Sequence, residues 1–146
     1  MNVEDVPVDQ VHELRMEVLR RGTPSDNVHF DQDSDPQTRH LAIRGDTGCV
    51  IAASTWSPSA FPDRPDEPAI QLRGMAVSAE HRGRGLGAAM IAAGLDDARR
   101  RGAVLVWANA RDSALDFYVA NGFRVVGAGF RTRDTDLPHH RIVQEL

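Results

Sequence analysis

The segment Arg82-Gly83-Arg84-Gly85-Leu86-Gly87 lies between two periodic patterns of different kinds. Before it, residues 70–77 predict a strand that contains Gly74, and after it, residues 86–101 repeat apolar side chains with a helical period. Glycines lack a Cβ, and the first N–H groups of a helix are unpaired and partially positive, so an anion can approach the backbone here. The two arginines add forked donors that suit phosphate oxygens. The segment therefore predicts a strand, a phosphate-binding turn and a helix in succession.

Two other kinds of nucleotide-binding turn resemble this segment in part. Gly83, Gly85 and Ala88 satisfy the G-x-G-x-x-A pattern of dinucleotide sites, which is followed about 20 residues later by an acidic residue. Residues 106–109, where that acid would fall, read Val-Trp-Ala-Asn and contain no carboxylate. A Walker loop is excluded because no Gly-Lys-Ser/Thr follows. A dinucleotide-binding domain and a plain glycine-rich turn stay open as alternatives at this point.

The rest of the chain alternates between strand and helix patterns. The predicted strands are residues 2–6, 40–44, 49–56, 70–77, 103–108, 123–130 and 141–146, and the predicted helices are residues 8–21, 86–101 and 113–121. Gly74 inside its strand predicts a bulge or a close backbone approach. Between the third and fourth strands, the prolines of residues 57–68 predict a stiff loop. Strands interleaved with helices predict an α/β or α+β fold.

Length and composition narrow the class of protein. The chain has 146 residues, which suits a single domain over 1–146, and 41% of them are hydrophobic. Its net charge of −4 argues against a nucleic-acid binder, and no apolar run approaches the ~20 residues that span a membrane. Cys49 is the sole cysteine and lies in an apolar run, so we expect a buried thiol and a reducing, cytoplasmic setting.

Two motifs together resemble one family. Arg82 to Gly87 matches the R/Q-x-x-G-x-G/A signature of the GNAT superfamily of N-acetyltransferases, and Ala114-Leu115-Asp116-Phe117-Tyr118-Val119-Ala120-Asn121-Gly122-Phe123 resembles its A-x-x-x-Y-x-x-x-G-F segment. Leu137-Pro138-His139-His140 is similar to a Pro-His found near the C-terminus of one bacterial branch. The resemblance implies a mixed, largely antiparallel central sheet, splayed between its fourth and fifth strands and flanked by helices. Dimers are common in the family, so a homodimer is one expected assembly.

The resemblance also implies acetyl-CoA as the acyl donor and no metal. The pantetheine arm would enter the gap between the splayed strands, against Met75, Ala76 and Val77 on one side and Asn109 on the other. A backbone N–H near Met75 or Ala76 would polarise the thioester carbonyl. The residues expected to hold the pyrophosphate are Arg82, Gly83, Arg84, Gly85, Leu86, Gly87 and Ala88.

The catalytic residues follow from the same resemblance. Tyr118 would be the general acid for the departing thiolate, because a phenol stays protonated at neutral pH. Some family members carry a glutamate base on the strand before the phosphate turn, but residues 70–75 contain no carboxylate. The base is therefore His139, an ordered water, or an acid of the proline-rich loop such as Asp66 or Glu67. The implied reaction is direct attack of a primary amine of a small molecule, peptide or protein in a ternary complex; the alternative is a non-catalytic acyl-CoA sensor.

Overall fold

A single seven-stranded sheet organises the protein. The computed structural model describes residues 2–146, and the strands are ordered β1-β2-β3-β4-β5-β7-β6. Their bounds are β1 Glu4–Val6, β2 Arg39–Arg44, β3 Val50–Pro58, β4 Ala69–Val77, β5 Leu105–Arg111, β6 Arg124–Arg131 and β7 Pro138–Glu145. Neighbouring strands are antiparallel except β4 and β5, which are parallel. The predicted mixed, largely antiparallel sheet is confirmed.

Helices cover both faces of this sheet. They are α1 His12–Leu14, α2 Leu86–Arg100 and α3 Leu115–Ala120, with 3-10 turns at Val8–Gln10, Asp31–Ser34, Ala79–His81 and Asp112–Ala114. The sequence predicts one continuous helix over residues 8–21, but α1 instead continues into a π-helix, Arg15–Arg20. Hydrogen bonds in a π-helix join residues five apart. The side chains of Arg15 and Arg20 therefore point more nearly in the same direction than they would in an α-helix. Both side chains are buried.

Successive side chains of β2 lie on opposite faces of the sheet and pack into different apolar clusters. Leu41 and Ile43 join the larger apolar cluster under α2, whereas Ala42 joins a smaller cluster with Val11 and Leu14 of the N-terminal helical segment. The predicted apolar stripe of α2 lies in the larger cluster, and its members, Ile91, Leu95 and Ala98, are all buried. None of the helices in residues 2–146 has both the length and the apolar character needed to cross a membrane.

The sheet opens between β4 and β5. These strands pair only at Ala69–Leu105, Ile70–Val106 and Gln71–Trp107. Beyond these pairs, residues 72–77 and 108–111 have no ladder partner across the gap, which is the predicted splay.

A bulge in β4 lies beside this gap. The β3–β4 register passes from Ala53–Ala76 to Thr55–Arg73, so that two residues, Gly74 and Met75, oppose one. Gly74 adopts a φ of +62°, which disfavours residues that carry a Cβ. The predicted bulge at Gly74 is confirmed.

Three local predictions are wrong. Cys49 is exposed, because the hairpin turn extends to it and β3 begins only at Val50. Asp112 and Ser113 are residue types that predict a cap for the helix over 113–121, but neither caps α3 through its side chain; instead, the Asp112 carboxylate lies 2.7 Å from Nδ1 of His140. The last strand begins at Pro138 rather than residue 141, so His139 is a strand residue.

Candidate functional site

A cavity of about 390 Å³ opens where β4 and β5 part. Residues 71–75 of β4 and 108–111 of β5 form two of its walls. The other walls come from the N-terminal helical segment, the loop before β2, the α3 region and the segment between β6 and β7; their lining residues are Leu19, Arg20, Phe30, Ala114, Tyr118, Thr132, Arg133, Asp134, Thr135 and His139. Four predicted site residues therefore share one cavity: Met75, Asn109, Tyr118 and His139.

Tyr118 is held rigidly at this cavity. Its ring meets those of Phe117 and Phe123 edge-on, with centroids 5.1 and 5.6 Å away, and the residue is only 7% exposed. Burial raises the pKa of the phenol, and the nearby Arg111 guanidinium opposes that rise. The Tyr118 hydroxyl makes no hydrogen bond within residues 2–146, and so it can donate to a ligand.

His139 lies in β7, directly across from Arg111 of β5. Its Nδ1 is 2.8 Å from the Leu137 carbonyl oxygen, so in the neutral ring Nδ1–H donates and Nε2 keeps the lone pair. Burial lowers the pKa of His139 and the Arg111 charge adds to that effect, which outweighs the opposing bond to the Leu137 carbonyl. The ring is therefore neutral at pH 7 and offers Nε2 as a proton acceptor.

The glycine-rich turn has the geometry of an anion cradle. Gly83 and Gly85 adopt φ values of +77° and +80°, and a Cβ added to either would meet nothing within 4 Å. Gly85 is the N-cap of α2 and makes no side-chain capping bond, so the first N–H groups of the helix have no side-chain cap. Arg82 and Arg84 are exposed and, within residues 2–146, belong to no salt bridge. None of residues 82–88 lines the β4–β5 cavity.

The other residues predicted to bind acetyl-CoA differ in their burial and in the elements that they contact. Leu86 is 2% exposed and its side chain belongs to the main core, whereas Ala88 is exposed on the first turn of α2. Gly87 lies against Phe117 of α3. Ala76 packs under the N-terminal helical segment and Val77 packs on the main core, so both could meet a ligand chiefly through their backbone.

The acids of the proline-rich loop do not reach the cavity. Asp66 and Glu67 precede Ala69, at the end of β4 where it is paired with β5. Glu67 bonds to Arg64 instead. Among residues 2–146, the only carboxylate that lines the cavity is that of Asp134, which is exposed.

The sequence alone did not indicate four arginines and one aromatic residue that line the cavity. They are Arg20, Arg73, Arg111, Arg133 and Phe30. A cation inside an otherwise apolar strand is unusual, so Arg73 next to the bulge glycine carried a signal. Phe30, an isolated aromatic residue in a polar loop, carried another. Among residues 2–146, no group of three or more His, Cys, Asp or Glu side chains is placed to hold a metal ion.

Comparison with proteins of known structure agrees with this architecture. The fold is similar to that of Escherichia coli ElaA, with a TM-score of 0.79 and 18% identity over 99% of this chain and 100% of that one. An acyl-CoA N-acyltransferase from Pseudomonas aeruginosa has a TM-score of 0.76 and 20% identity, with 99% of both chains covered. An aminoglycoside 6'-N-acetyltransferase complexed with coenzyme A has a TM-score of 0.74 and 12% identity, covering 99% of this chain and 97% of that one.

The sequence itself matches a family profile over most of its length. Residues 8–123 match the profile described as the acetyltransferase (GNAT) family. The matched range includes the glycine-rich turn, the bulged strand β4 and the helix that carries Tyr118. The chain therefore belongs to the acetyltransferase (GNAT) family.

Proposed function

We propose that this protein transfers an acetyl group from acetyl-CoA to the nitrogen of a primary amine. The observation that carries the proposal is the position of Tyr118, a buried phenol with an unbonded hydroxyl, on the cavity between the splayed strands. A cavity of this kind can admit a narrow acyl chain from one side and an amine from the other.

The glycine-rich turn is proposed to bind the pyrophosphate of the donor. The open space over Gly83 and Gly85, the uncapped start of α2 and the two exposed arginines all favour a phosphate group. From the turn, β4 leads back to the cavity, where Met75 lines one side of the gap and Asn109 lines the other. These residues would flank the pantetheine arm.

The chemistry can proceed without a covalent enzyme intermediate. The amine nitrogen forms a bond to the thioester carbonyl carbon, and the carbon–sulfur bond then breaks. The β4 ladder is interrupted at Gly74 and Met75, so a backbone N–H at Met75 or Ala76 is proposed to stabilise the negative oxygen that develops. Tyr118 donates its proton to the thiolate, and the Arg111 charge stabilises the phenolate that this leaves.

The amine must lose a proton during attack. Nε2 of His139 is proposed to accept it, because the neutral ring lines the same cavity and its Nδ1 is fixed by the Leu137 carbonyl. The proton then passes to solvent through the open mouth of the cavity, where the exposed Asp134 lies, and the Tyr118 phenolate regains a proton from solvent by the same route.

An amine panel assayed for release of free CoA from acetyl-CoA tests the proposal, with mass spectrometry to find the acetylated amine. At least one amine should gain an acetyl group in proportion to the CoA released. Binding of acetyl-CoA by calorimetry, without turnover of any amine, would instead indicate a non-catalytic acyl-CoA sensor. No acetyl-CoA binding at all would contradict both functions.

A further inference from the structure

The charge of the cavity is opposite to that of the whole chain. The chain carries a net charge of −4, yet four arginines and one aspartate line the cavity. The arginines are Arg20, Arg73, Arg111 and Arg133, and the aspartate is Asp134. Arg133 and Asp134 are exposed at the mouth, and their charges offset one another. The interior wall therefore keeps three positive charges, from Arg20, Arg73 and Arg111.

These three arginines have no acidic partner. Within residues 2–146, no carboxylate oxygen lies within 4.0 Å of the guanidinium nitrogens of Arg20, Arg73 or Arg111. The neighbouring Arg15 differs, since it makes two bonds to the Asp33 carboxylate, at 2.7 and 3.0 Å. Asp31 and Asp33 act on Arg73 only through charge at longer range, and Asp33 is already bound to Arg15.

The contacts that the three arginines do make are neutral. Arg20 and Arg111 both donate to the carbonyl oxygen of Leu19, so two cations converge on one acceptor. Arg73 donates to the side-chain oxygen of Gln32 at 2.6 Å. A guanidinium has five N–H donors, so each of the three keeps donors that a ligand can use.

An aromatic ring partly compensates the charge. The centroid of the Phe30 ring is 4.5 Å from Cζ of Arg73 and 5.7 Å from Cζ of Arg20. Such contacts stabilise a guanidinium less than a hydrogen-bonded anion does in a site shielded from water. Burial lowers the pKa of all three arginines, although the charge of Asp134 opposes this at Arg20 and that of Asp31 opposes it at Arg73. An anion in the cavity would relieve this cost.

We propose that the acceptor carries an oxyanion, a carboxylate or a phosphate, in addition to its amine, and that Arg20, Arg73 and Arg111 bind it. This inference rests on the proposed acetyl transfer and gives it a substrate class. Planar, forked guanidinium groups suit both oxyanions, because each can accept two parallel hydrogen bonds. Polyamines and other acceptors that carry only positive charge are disfavoured by the same wall.

The same charges assist the reaction. Nearby cations disfavour the ammonium form of the acceptor and so lower its pKa, which increases the fraction of free amine that can attack. This effect matters here because Asp134, whose carboxylate is the sole one on the cavity wall within residues 2–146, is exposed at the mouth of the cavity. The arginine wall, formed by Arg20, Arg73 and Arg111, therefore both selects the acceptor and favours the free-amine form of its nitrogen.

Paired acceptors test the proposal. Each of the common L-amino acids is compared with its carboxamide, phosphoethanolamine is compared with ethanolamine, and spermidine represents the cationic amines. The best anionic acceptor should exceed its uncharged partner in kcat/KM by about tenfold or more, since a bond to a charged group contributes about 1.5–3 kcal/mol. The amino-acid and phosphoethanolamine arms distinguish a carboxylate from a phosphate.

Variants connect this preference to the arginine wall. Arg73→Gln and Arg111→Gln should each raise KM for the anionic acceptor about tenfold and reduce its advantage over the uncharged partner. Arg73→Lys, which keeps the charge but not the fork, should recover part of the loss. Arg100→Gln, which lies exposed at the end of α2 and does not line the cavity, is the control and should change neither value. Thermal melts verify that each variant is folded.

The outcomes separate this inference from the function on which it rests. Equal turnover of anionic and uncharged acceptors, or an undiminished preference in both glutamine variants, would overturn the anion site and leave acetyl transfer standing. If no amine is acetylated, the proposed function fails, and binding of the N-acetyl amino acids and their amides then decides the anion site. If the N-acetyl amino acids bind more tightly than their amides and Arg73→Gln abolishes this difference, the anion site is supported. Equal binding of the acids and the amides would overturn it.

Discussion

Gly87, in the first turn of α2, lies against the ring of Phe117 in α3. A Cβ at Gly87 would be 2.8 Å from both Cε1 and Cζ of that ring, which is closer than two carbon atoms approach without displacement. Phe117 in turn contacts the ring of Tyr118. The glycine-rich turn and the tyrosine are therefore connected through one aromatic side chain.

We expect Gly87→Ala to weaken this connection. The new methyl group should displace Phe117, lower the free energy of unfolding by about 1–3 kcal/mol and reduce kcat by moving Tyr118. Urea unfolding and steady-state kinetics measure the two effects. The double variant Gly87→Ala/Phe117→Leu should recover stability, because the smaller side chain leaves room for the methyl group. If Gly87→Ala alone is as stable and active as the wild type, residue 87 does not pack closely against Phe117.

Gly94→Ala tests how closely α2 packs on the sheet. A Cβ at Gly94 would be 1.9 Å from Cζ2 of Trp56, a residue that is 1% exposed. Helix propensity alone favours the alanine by about 1 kcal/mol, but overpacking of the core should reverse the sign and cost about 2 kcal/mol or more. Chemical denaturation compares this variant with Ala92→Gly, an exposed control on the same helix that should lose about 1 kcal/mol. A gain in stability for Gly94→Ala would contradict the packing.

Comparing two acyl donors tests the role of the glycine-rich turn separately from that of the catalytic residues. Replacing Arg82 and Arg84 together by glutamine should weaken binding of acetyl-CoA about tenfold or more, because each loses charged donors to phosphate. Acetyl-pantetheine lacks the pyrophosphate, so its turnover should be unaffected by the same change. Calorimetry and CoA-release assays measure both, with Arg99→Gln near the other end of α2 as the control. Equal losses with the two donors would mean that these arginines do not bind the pyrophosphate.

Stability should depend on pH through His40. This residue is 5% exposed, and its Nδ1 is 2.9 Å from the hydroxyl of Thr55, which also accepts a bond from Arg15. Burial lowers the pKa of His40 below 6.5, and the nearby Arg15 charge adds to this, although Asp33 opposes it. The unfolded state therefore binds a proton more readily than the folded state, and stability should fall as the pH drops through about 6.5.

Urea titrations between about pH 7.5 and about pH 5.5 measure this slope. The His40→Asn variant should show a flatter slope, even if it is less stable at every pH. Two other histidines with lowered pKa, His12 and His139, will leave part of the slope in place. A variant with the full wild-type slope would show that His40 does not contribute.

Local patterns predicted most of the fold. The helical stripe of α2, the strand β4 with its bulge at Gly74 and the glycine-rich turn all depend on neighbouring residues, so their periods are visible in the sequence. The ends of β5 and β7 were less predictable, because ladder bonds between them extend the strands beyond the apolar runs. The π-helical form of Arg15–Arg20 was not predictable, because the hydrophobic pattern of the sequence does not distinguish it from an α-helix.

The candidate site was predicted only in part. Tyr118, His139 and the turn belong to motifs that resemble a family, and the cavity brings the first two together. The arginine wall has no motif, because Arg20, Arg73 and Arg111 come from three separate elements and meet only after folding. The acceptor class therefore depends on tertiary structure, whereas the expected donor depends on a local turn.

Tyr118→Phe tests the central proposal most directly, because it removes one oxygen from a buried ring and leaves the aromatic packing in place. With the best acceptor of the amine panel, kcat for CoA release should fall by about 10²–10⁴. The Kd for acetyl-CoA, measured by calorimetry, should stay unchanged. A variant that retains full turnover would contradict the assignment of Tyr118 as the general acid and, with it, this account of acetyl transfer at the β4–β5 cavity.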